Sequence, residues 1–364
     1  MAQIKARIRS FARVLIVFAL AAVAVIATKP AAAAEKTSFK VAWSIYVGWM
    51  PWDYAGQSGI LKKWADKYGI KITLTQFNDY IESINQYTTG QFDGVVGTTI
   101  EALALPASAG VDTTVLIMGD YSNGNDAVVI KGKGKSLKDI KGMEVHVVEL
   151  SVSHFMLARA LQTVGLSERD IKITNVSDAD FYPAFMTSQL QSIVAWKPGL
   201  SSIEAEPNAS VVFSSTQIPG ELVDIGMVNT QTLRDNPNFG KALVGAWYET
   251  LAAMQGMSSK AVAARELMAS VAGTNLADFD SQLSTTRLFV KPNEAKEFLH
   301  SPEFVRGVEL MREFCFEHGL LGENAKSKDA IGIQMPGGKV LGNASNVRLR
   351  FDETYVSQAA AGKL

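Results

Sequence analysis

With 364 residues, 47% of them hydrophobic and 20% charged, the chain can bury one or two cores. Its formal charge of −1 supplies no basic excess, which argues against a nucleic-acid binder and against attachment to an anionic membrane surface. A single cysteine, Cys315, excludes an internal disulfide; it falls in a helical pattern over 308–316 and reads as a small buried hydrophobe.

The first 34 residues read as a signal peptide. Lys5, Arg7, Arg9 and Arg13 form a basic start, residues 14–27 an apolar run too short for a membrane span, and residues 31–34 a small-residue cleavage site. No cysteine stands there for lipid attachment, and no Arg-Arg pair suggests the twin-arginine route. Removing the segment takes five basic residues and no acid, so the formal charge moves from −1 to −6.

Residues 39–43 predict an apolar strand. Residues 43–54 follow, with Trp43, Trp49, Trp52, Tyr46, Tyr54 and Asp53 within twelve positions. In an open α/β sheet ligands bind at the carboxyl ends of strands, and an aromatic loop there offers apolar faces with polar tips. A helical pattern begins near Ala55 and ends at Gly69; a strand over 70–77 and a helix over 81–89 follow. Next come a short strand over 92–96, a helix over 101–109 and a strand over 113–118. This alternation predicts an α/β fold with a parallel sheet and helices on both faces.

Residues 119–126 are polar and turn-rich, and residues 131–142 read as a solvated connector. The rhythm then restarts: strand 144–150, helix 153–163, strand 171–176, helix 182–191, and strands 192–196 and 211–213. Residues 222–228 read as a return crossing. Helices are expected over 239–254, 259–272, 276–284, 293–299 and 303–318, and a weakly periodic tail from Lys326. The expected organisation is one lobe from 35–126 and 226–364, a second from 127–225, each a mostly parallel sheet flanked by helices, joined by two hinge crossings.

No phosphate loop is present, because Val129 stands where Gly134-Lys135-Ser136 would require a glycine. His146, His154, His300 and His318 show no metal-ligand spacing, so neither metal nor cofactor is assigned. What remains is a ring of strand ends. Its candidate ligand-binding residues are Trp43, Tyr46, Trp49, Trp52, Asp53, Asp79, Thr98, Glu101, Asp120, Glu149, Ser151, His154 and Trp196. Each has a structural alternative. Asp79 suits a helix cap with Glu82 completing a capping box, Asp120 and Asp126 suit turns, Glu101 suits a first helical turn, and His154 suits a structural role. Lysine and arginine are absent from 41–61, 72–130 and 149–158, while acids are frequent there. That balance favours a cationic or donor-rich neutral ligand over an anion. Lys197 is the exception.

Several motifs together carry a resemblance. They are Gly-Trp-x-Pro at 48–51, the run from Tyr54 through Gly-Ile-Leu-Lys-Lys-Trp at 59–64, Gly-Ile-Lys-Ile at 69–72, Gly-Gln-Phe-Asp-Gly at 90–94 and Ala-Gly-Val-Asp at 109–112. The second half adds residues 137–142, 164–166 and 194–198. Over residues 39–260 the chain resembles the nitrate/sulfonate/taurine type of periplasmic substrate-binding proteins of ABC importers. Residues 43–49, 78–80 and 122–126 are most similar to the branch associated with urea or guanidine carboxylases.

The resemblance implies a type II periplasmic binding protein fold, a periplasmic location, an inner-membrane permease as partner, a monomer, and binding without catalysis. The family's binding positions would fall at the loop after the first strand, Asn78-Asp79, Thr98-Thr99, Ser151 to His154, and Trp196. It implies guanidinium or urea as ligand. Nitrate, taurine or another sulfonate, and a thiamine precursor are the alternatives. A pyrimidine-forming enzyme of the same fold would be expected to carry a cysteine cluster, which this chain lacks.

Overall fold

The computed structural model describes residues 36–364; the signal-peptide expectation lies outside the described residues. The chain first lays down β1 (Ser38–Ser44), β2 (Lys71–Phe77), β3 (Gly94–Thr98) and β4 (Thr113–Ser122). It then makes β5 (Asp126–Lys131), β6 (Glu144–Val147), β7 (Lys172–Asn175), β8 (Ser192–Trp196) and β9 (Ala209–Ser214). The return supplies β10 (Val223–Asn229), β11 (Thr286–Leu288), β12 (Gly332–Gln334), β13 (Val340–Leu341) and β14 (Val347–Phe351). Strands β5 to β9 form a sheet of their own in the order β7-β6-β8-β5-β9. All the others belong to a larger sheet, β13-β12-β14-β4-β10-β3-β1-β2, with β11 paired on β4.

The strand that matters most for the centre is β10. It enters antiparallel between β3 and β4, so the larger sheet is mixed rather than parallel, and Asp224 faces Thr98 on one side and Asp120 on the other. The chain passes from the larger sheet to the smaller between Ser122 and Asp126, and back between Ser214 and Val223.

Most predicted elements appear within a few residues of their expected bounds, and three regions differ. The aromatic stretch was expected as loop to Tyr54, but a helix, Met50–Gln57, begins inside it with Pro51 in its first turn. Proline is favoured there because a first-turn N–H has no partner to lose. Residues 119–122 were expected in a turn, but they extend β4. Leu288 opposite Asp120 and Thr286 opposite Ser122 give that polar run a partner strand, which local turn preference does not register. The tail was expected to be only weakly periodic, but β14 pairs parallel with β4, Leu349 opposite Thr113. Its apolar residues Val347, Leu349 and Phe351 alternate over only five positions beside glycine-rich sequence, too short a signal to stand out.

Apolar packing holds the frame. Phe39 of β1 stacks on Phe239 with ring centroids 4.4 Å apart, and Cys315 is fully buried. No helix among the described residues is long and apolar enough to cross a membrane.

Candidate functional site

Where the two sheets face each other, ten residues line a small void. Tyr46 and Trp49 come from the turn after β1, and Tyr80 opens the helix Tyr80–Thr88. Thr98, Ser122 and Trp196 end β3, β4 and β8. Asp126 begins β5, Leu222 precedes β10 and Asp224 lies in it, and Val152 begins the helix Val152–Thr163. Tyr46 and Trp49 meet edge to face at 5.3 Å, as do Tyr80 and Trp196 at 6.0 Å, while Trp49 and Tyr80 are tilted at 5.2 Å. Phe181 braces Trp196 from behind at 4.7 Å.

Carboxylates crowd the same space. Asp126 and Asp224 line the void, Asp120 lies beside Asp224, and Glu101 sits behind Thr98 and Tyr80. The Tyr46 hydroxyl donates to Asp120 Oδ1 at 3.4 Å and accepts from Asn125 Nδ2 at 3.2 Å. Asp120 Oδ2 is buried with no well-formed hydrogen bond, and the buried indole nitrogen of Trp49 faces Asp224. Glu101 accepts from the Thr98 hydroxyl and, at 2.8 Å, from the Val152 backbone N–H.

Burial is the main cause of the shifts that follow. It pushes Asp120 up to about 7, against the opposing effect of its carboxyl and hydroxyl neighbours. It pushes Asp126 up to about 7, with Ser122 and Lys197 opposing and the charge of Glu101 adding. It raises Glu101, against its hydrogen bonds from Thr98 and Val152. Asp224 is raised well above the carboxylate range by burial and then by Asp120, with the Trp49 indole pulling the other way. The Tyr46 and Tyr80 hydroxyls are likewise raised by burial, so both stay protonated.

Among the described residues, no lysine or arginine lines the void. Lys197, 7% exposed, directs its amine to Thr285 Oγ1 at 3.3 Å and towards Glu204 at 3.9 Å.

Of the residues singled out in sequence, Tyr46, Trp49, Thr98 and Trp196 line the void, and Glu101 and Asp120 stand directly behind it. The others are placed elsewhere. Trp43 is buried within β1 and is not part of the lining. Trp52 stacks on Trp247 at 5.0 Å, because the helix that begins at Met50 turns it into the packing face. Asp53 is tied to Gln57 on that helix's outer side at 2.7 Å. Asp79 caps the helix Tyr80–Thr88 by accepting from Glu82 N, and its other oxygen accepts from Ser177. Glu149 is exposed. Ser151 caps the helix Val152–Thr163, its oxygen accepting from Ser153 N and its hydroxyl donating to Val148 O. His154 belongs to a separate cluster.

Tyr80, Ser122 and Asp126 lay in the predicted ring of strand ends without being singled out. Leu222 and Asp224 were missed. The signal for Asp224 was a lone carboxylate inside the apolar run 222–228, a residue type rarely buried without a purpose.

Histidine spacing gave no metal pair, yet the fold brings His154, Glu168 and His318 together. His154 Nε2 lies 2.6 Å from Glu168, and His318 Nε2 lies 2.9 Å from it. Despite partial burial, these two partners pull Glu168 down to about 2, and the hydrogen bond to Glu168 raises His318. The residue types suit zinc, but the hydrogen bonding does not. His154 Nδ1 accepts from Leu150 N at 2.9 Å, which puts the neutral ring's proton on Nε2, the atom a metal would need. The cluster reads as a polar clasp through Glu168 between the helix Val152–Thr163 and the end of the helix Pro302–Glu317.

The profile of the NMT1-like family matches residues 32–272. The taurine-binding periplasmic protein of Escherichia coli (strain K12) is 22% identical over 143 residues, covering 38% of this chain and 44% of that protein, so less than half of that curated relative is matched. The MOPS-bound alkanesulfonate-binding protein SsuA of Xanthomonas axonopodis pv. citri superposes with a TM-score of 0.66 at 17% identity, covering 82% of this chain and 99% of that one. The nitrate-binding protein NrtA of Synechocystis PCC 6803 gives a TM-score of 0.56 at 12% identity, covering 91% and 99%. These likenesses show the fold, the two-sheet α/β architecture of periplasmic binding proteins. With two thirds of its length matched by the family profile, the chain belongs to the NMT1-like family.

Proposed function

We propose that this protein is the extracytoplasmic solute-binding component of an ABC importer, and that its solute is a small planar nitrogen-rich molecule, guanidinium ahead of urea. One observation carries the ligand reading: buried carboxylates and aromatic faces surround a void whose lining holds no cationic side chain. Carboxylates forced up by burial are relieved when a cation arrives, and a flat delocalised cation suits aromatic faces. The void is small, which favours a few-atom ligand over a thiamine precursor.

Capture works by closure of two lobes, one built on the larger sheet and one on the smaller, about the crossings at 122–126 and 214–223, so the return comes a few residues before the boundary expected at 225. Contacts between the two parts support this. Glu101 holds Val152 N, Asp79 holds Ser177, Asp178 accepts from Tyr80 N, and His318 meets Glu168. Only a closed form engages both walls, so ligand shifts the population towards it. The closed monomer then docks on its inner-membrane permease. Binding, with no catalytic step or cofactor, is the output.

A second reading, an oxyanion such as a sulfonate or nitrate, is favoured by what the relatives are named for. Against it, the helix N-terminus at Val152, where an anion would be cradled, is already occupied by Glu101. Titration calorimetry on residues 35–364 with guanidinium (well below denaturing concentration), urea, nitrate, taurine and a thiamine precursor tests the choice. Heat with guanidinium or urea alone is expected, with about 2.7 kcal/mol of stabilisation at a hundredfold excess over Kd. Heat with nitrate or taurine alone would remove the cation reading and leave the importer reading standing.

A further inference from the structure

Asp120 and Asp224 stand directly opposite each other in the β4–β10 ladder, with relative exposures of 0% and 5%. Like charges at opposed positions repel, and burial removes the water that would screen them. Asp120 Oδ2 has no well-formed hydrogen bond, and the Trp49 indole nitrogen at the void's edge faces Asp224. The groups facing the pair are Tyr46, Trp49 and Asp126, with Glu101 and Lys197 acting on the site through Asp126. None of these facing the pair directly is a cation. We infer that the site takes up its cation in exchange for a proton shared by Asp120 and Asp224, and that this exchange selects a charged ligand over its neutral isostere. The inference rests on the cation reading above.

The geometry makes the exchange reciprocal. With the site empty, two carboxyls in contact and out of water hold one proton between them, as carboxylate pairs sharing a site do. When a cation enters beside Asp224, the shared O–H bond breaks and the proton leaves to solvent. A ligand N–H then donates to the freed carboxylate oxygen. Charge is conserved within the site, one cation in and one proton out. Urea brings no positive charge and cannot displace the proton; it meets a half-protonated pair. Asp120, which the void does not touch, is thereby a specificity-determining residue. Asp126, pushed up to about 7, contributes to the same exchange as pH falls.

Calorimetric titration of residues 35–364 with guanidinium chloride, at pH 7 in two buffers of different ionisation enthalpy, reads the proton count. The expected result is release of more than about half a proton per guanidinium, and an affinity that rises with pH between 5.5 and 7 by up to about tenfold per unit. Asp120→Asn is expected to lower the proton count and flatten the pH dependence. Guanidinium binding with a buffer-independent enthalpy and a flat pH profile would overturn the exchange while leaving the cation reading intact. No heat from guanidinium at any pH, together with heat from taurine or nitrate, would overturn the cation reading and this inference with it.

Discussion

Gly48 sets how closely Asp120 approaches the turn after β1. A Cβ at this position would lie 2.4 Å from Asp120 Oδ2 and 2.6 Å from Tyr46 Cε1, distances that no packed atom pair accepts. Gly48→Ala must therefore displace the carboxylate, the ring or both. A stability loss of about 1–3 kcal/mol is expected in thermal melts, with weakened guanidinium binding in titration. Asp224→Asn separates two effects that ordinarily run together. It removes a buried carboxyl raised by its surroundings, so the empty protein at pH 8 should be at least as stable as the wild type. It also removes half of the charge pair made with a cation, so guanidinium affinity should drop at least about thirtyfold, the equivalent of roughly 2 kcal/mol. A variant that lost stability and affinity together would mark Asp224 as a structural residue.

Among the elements, the helix Met50–Gln57 shows why one tryptophan faces the void and another does not. Trp49 precedes the helix and reaches the lining, while Trp52, one turn in, meets Trp247. Trp52→Ala should cost about 3–5 kcal/mol in denaturant unfolding, with the Kd of the folded fraction unchanged. A large loss of affinity at unchanged stability would return Trp52 to the ligand site. The clasp gives a complementary test. His318→Gln removes a partner that lowers Glu168, and should weaken closure and raise the ligand off-rate without touching the lining.

These cases also show what the chain's sequence discloses. Strand ends are local features, so the ring holding Tyr46, Thr98 and Trp196 was legible from alternating apolar runs and their polar exits. Asp224 was not, because only the antiparallel entry of β10 sets it against Asp120, and pairing partners leave no mark within a window of a dozen residues. The histidine clasp was hidden in the same way, since His154 and His318 lie far apart in sequence. Ser151 and Asp79 illustrate the opposite error: residues at helix starts that serve the backbone resemble residues poised for a ligand.

At the scale of the whole molecule, the buried acids predict an unusual pH dependence. Asp120 and Asp126 are pushed up to about 7, Asp178 to about 6, and Asp224 well above its ordinary range, each chiefly by burial. An acid with a raised folded value keeps its proton where the unfolded chain has lost it. It therefore favours folding at low pH, and that contribution fades as pH rises from about 4 to about 7. His318 acts in the same direction, since its raised value means stability present below its ordinary 6.5 and lost as pH climbs beyond. Glu168 opposes them only in acid, because its stabilisation is complete above about 4.5 and is lost as pH falls towards 2. The empty protein should thus melt several degrees higher at pH 5 than at pH 8. Saturating guanidinium should stabilise more at pH 8 than at pH 5 and so flatten the profile, since a bound cation compensates the ionised carboxylates. Calorimetric melts of residues 35–364 across pH 4–8, with and without guanidinium, measure both effects. An empty protein most stable at pH 8 would mean that the buried acids are already compensated within the fold, and the charge argument for a cationic ligand would lose its basis.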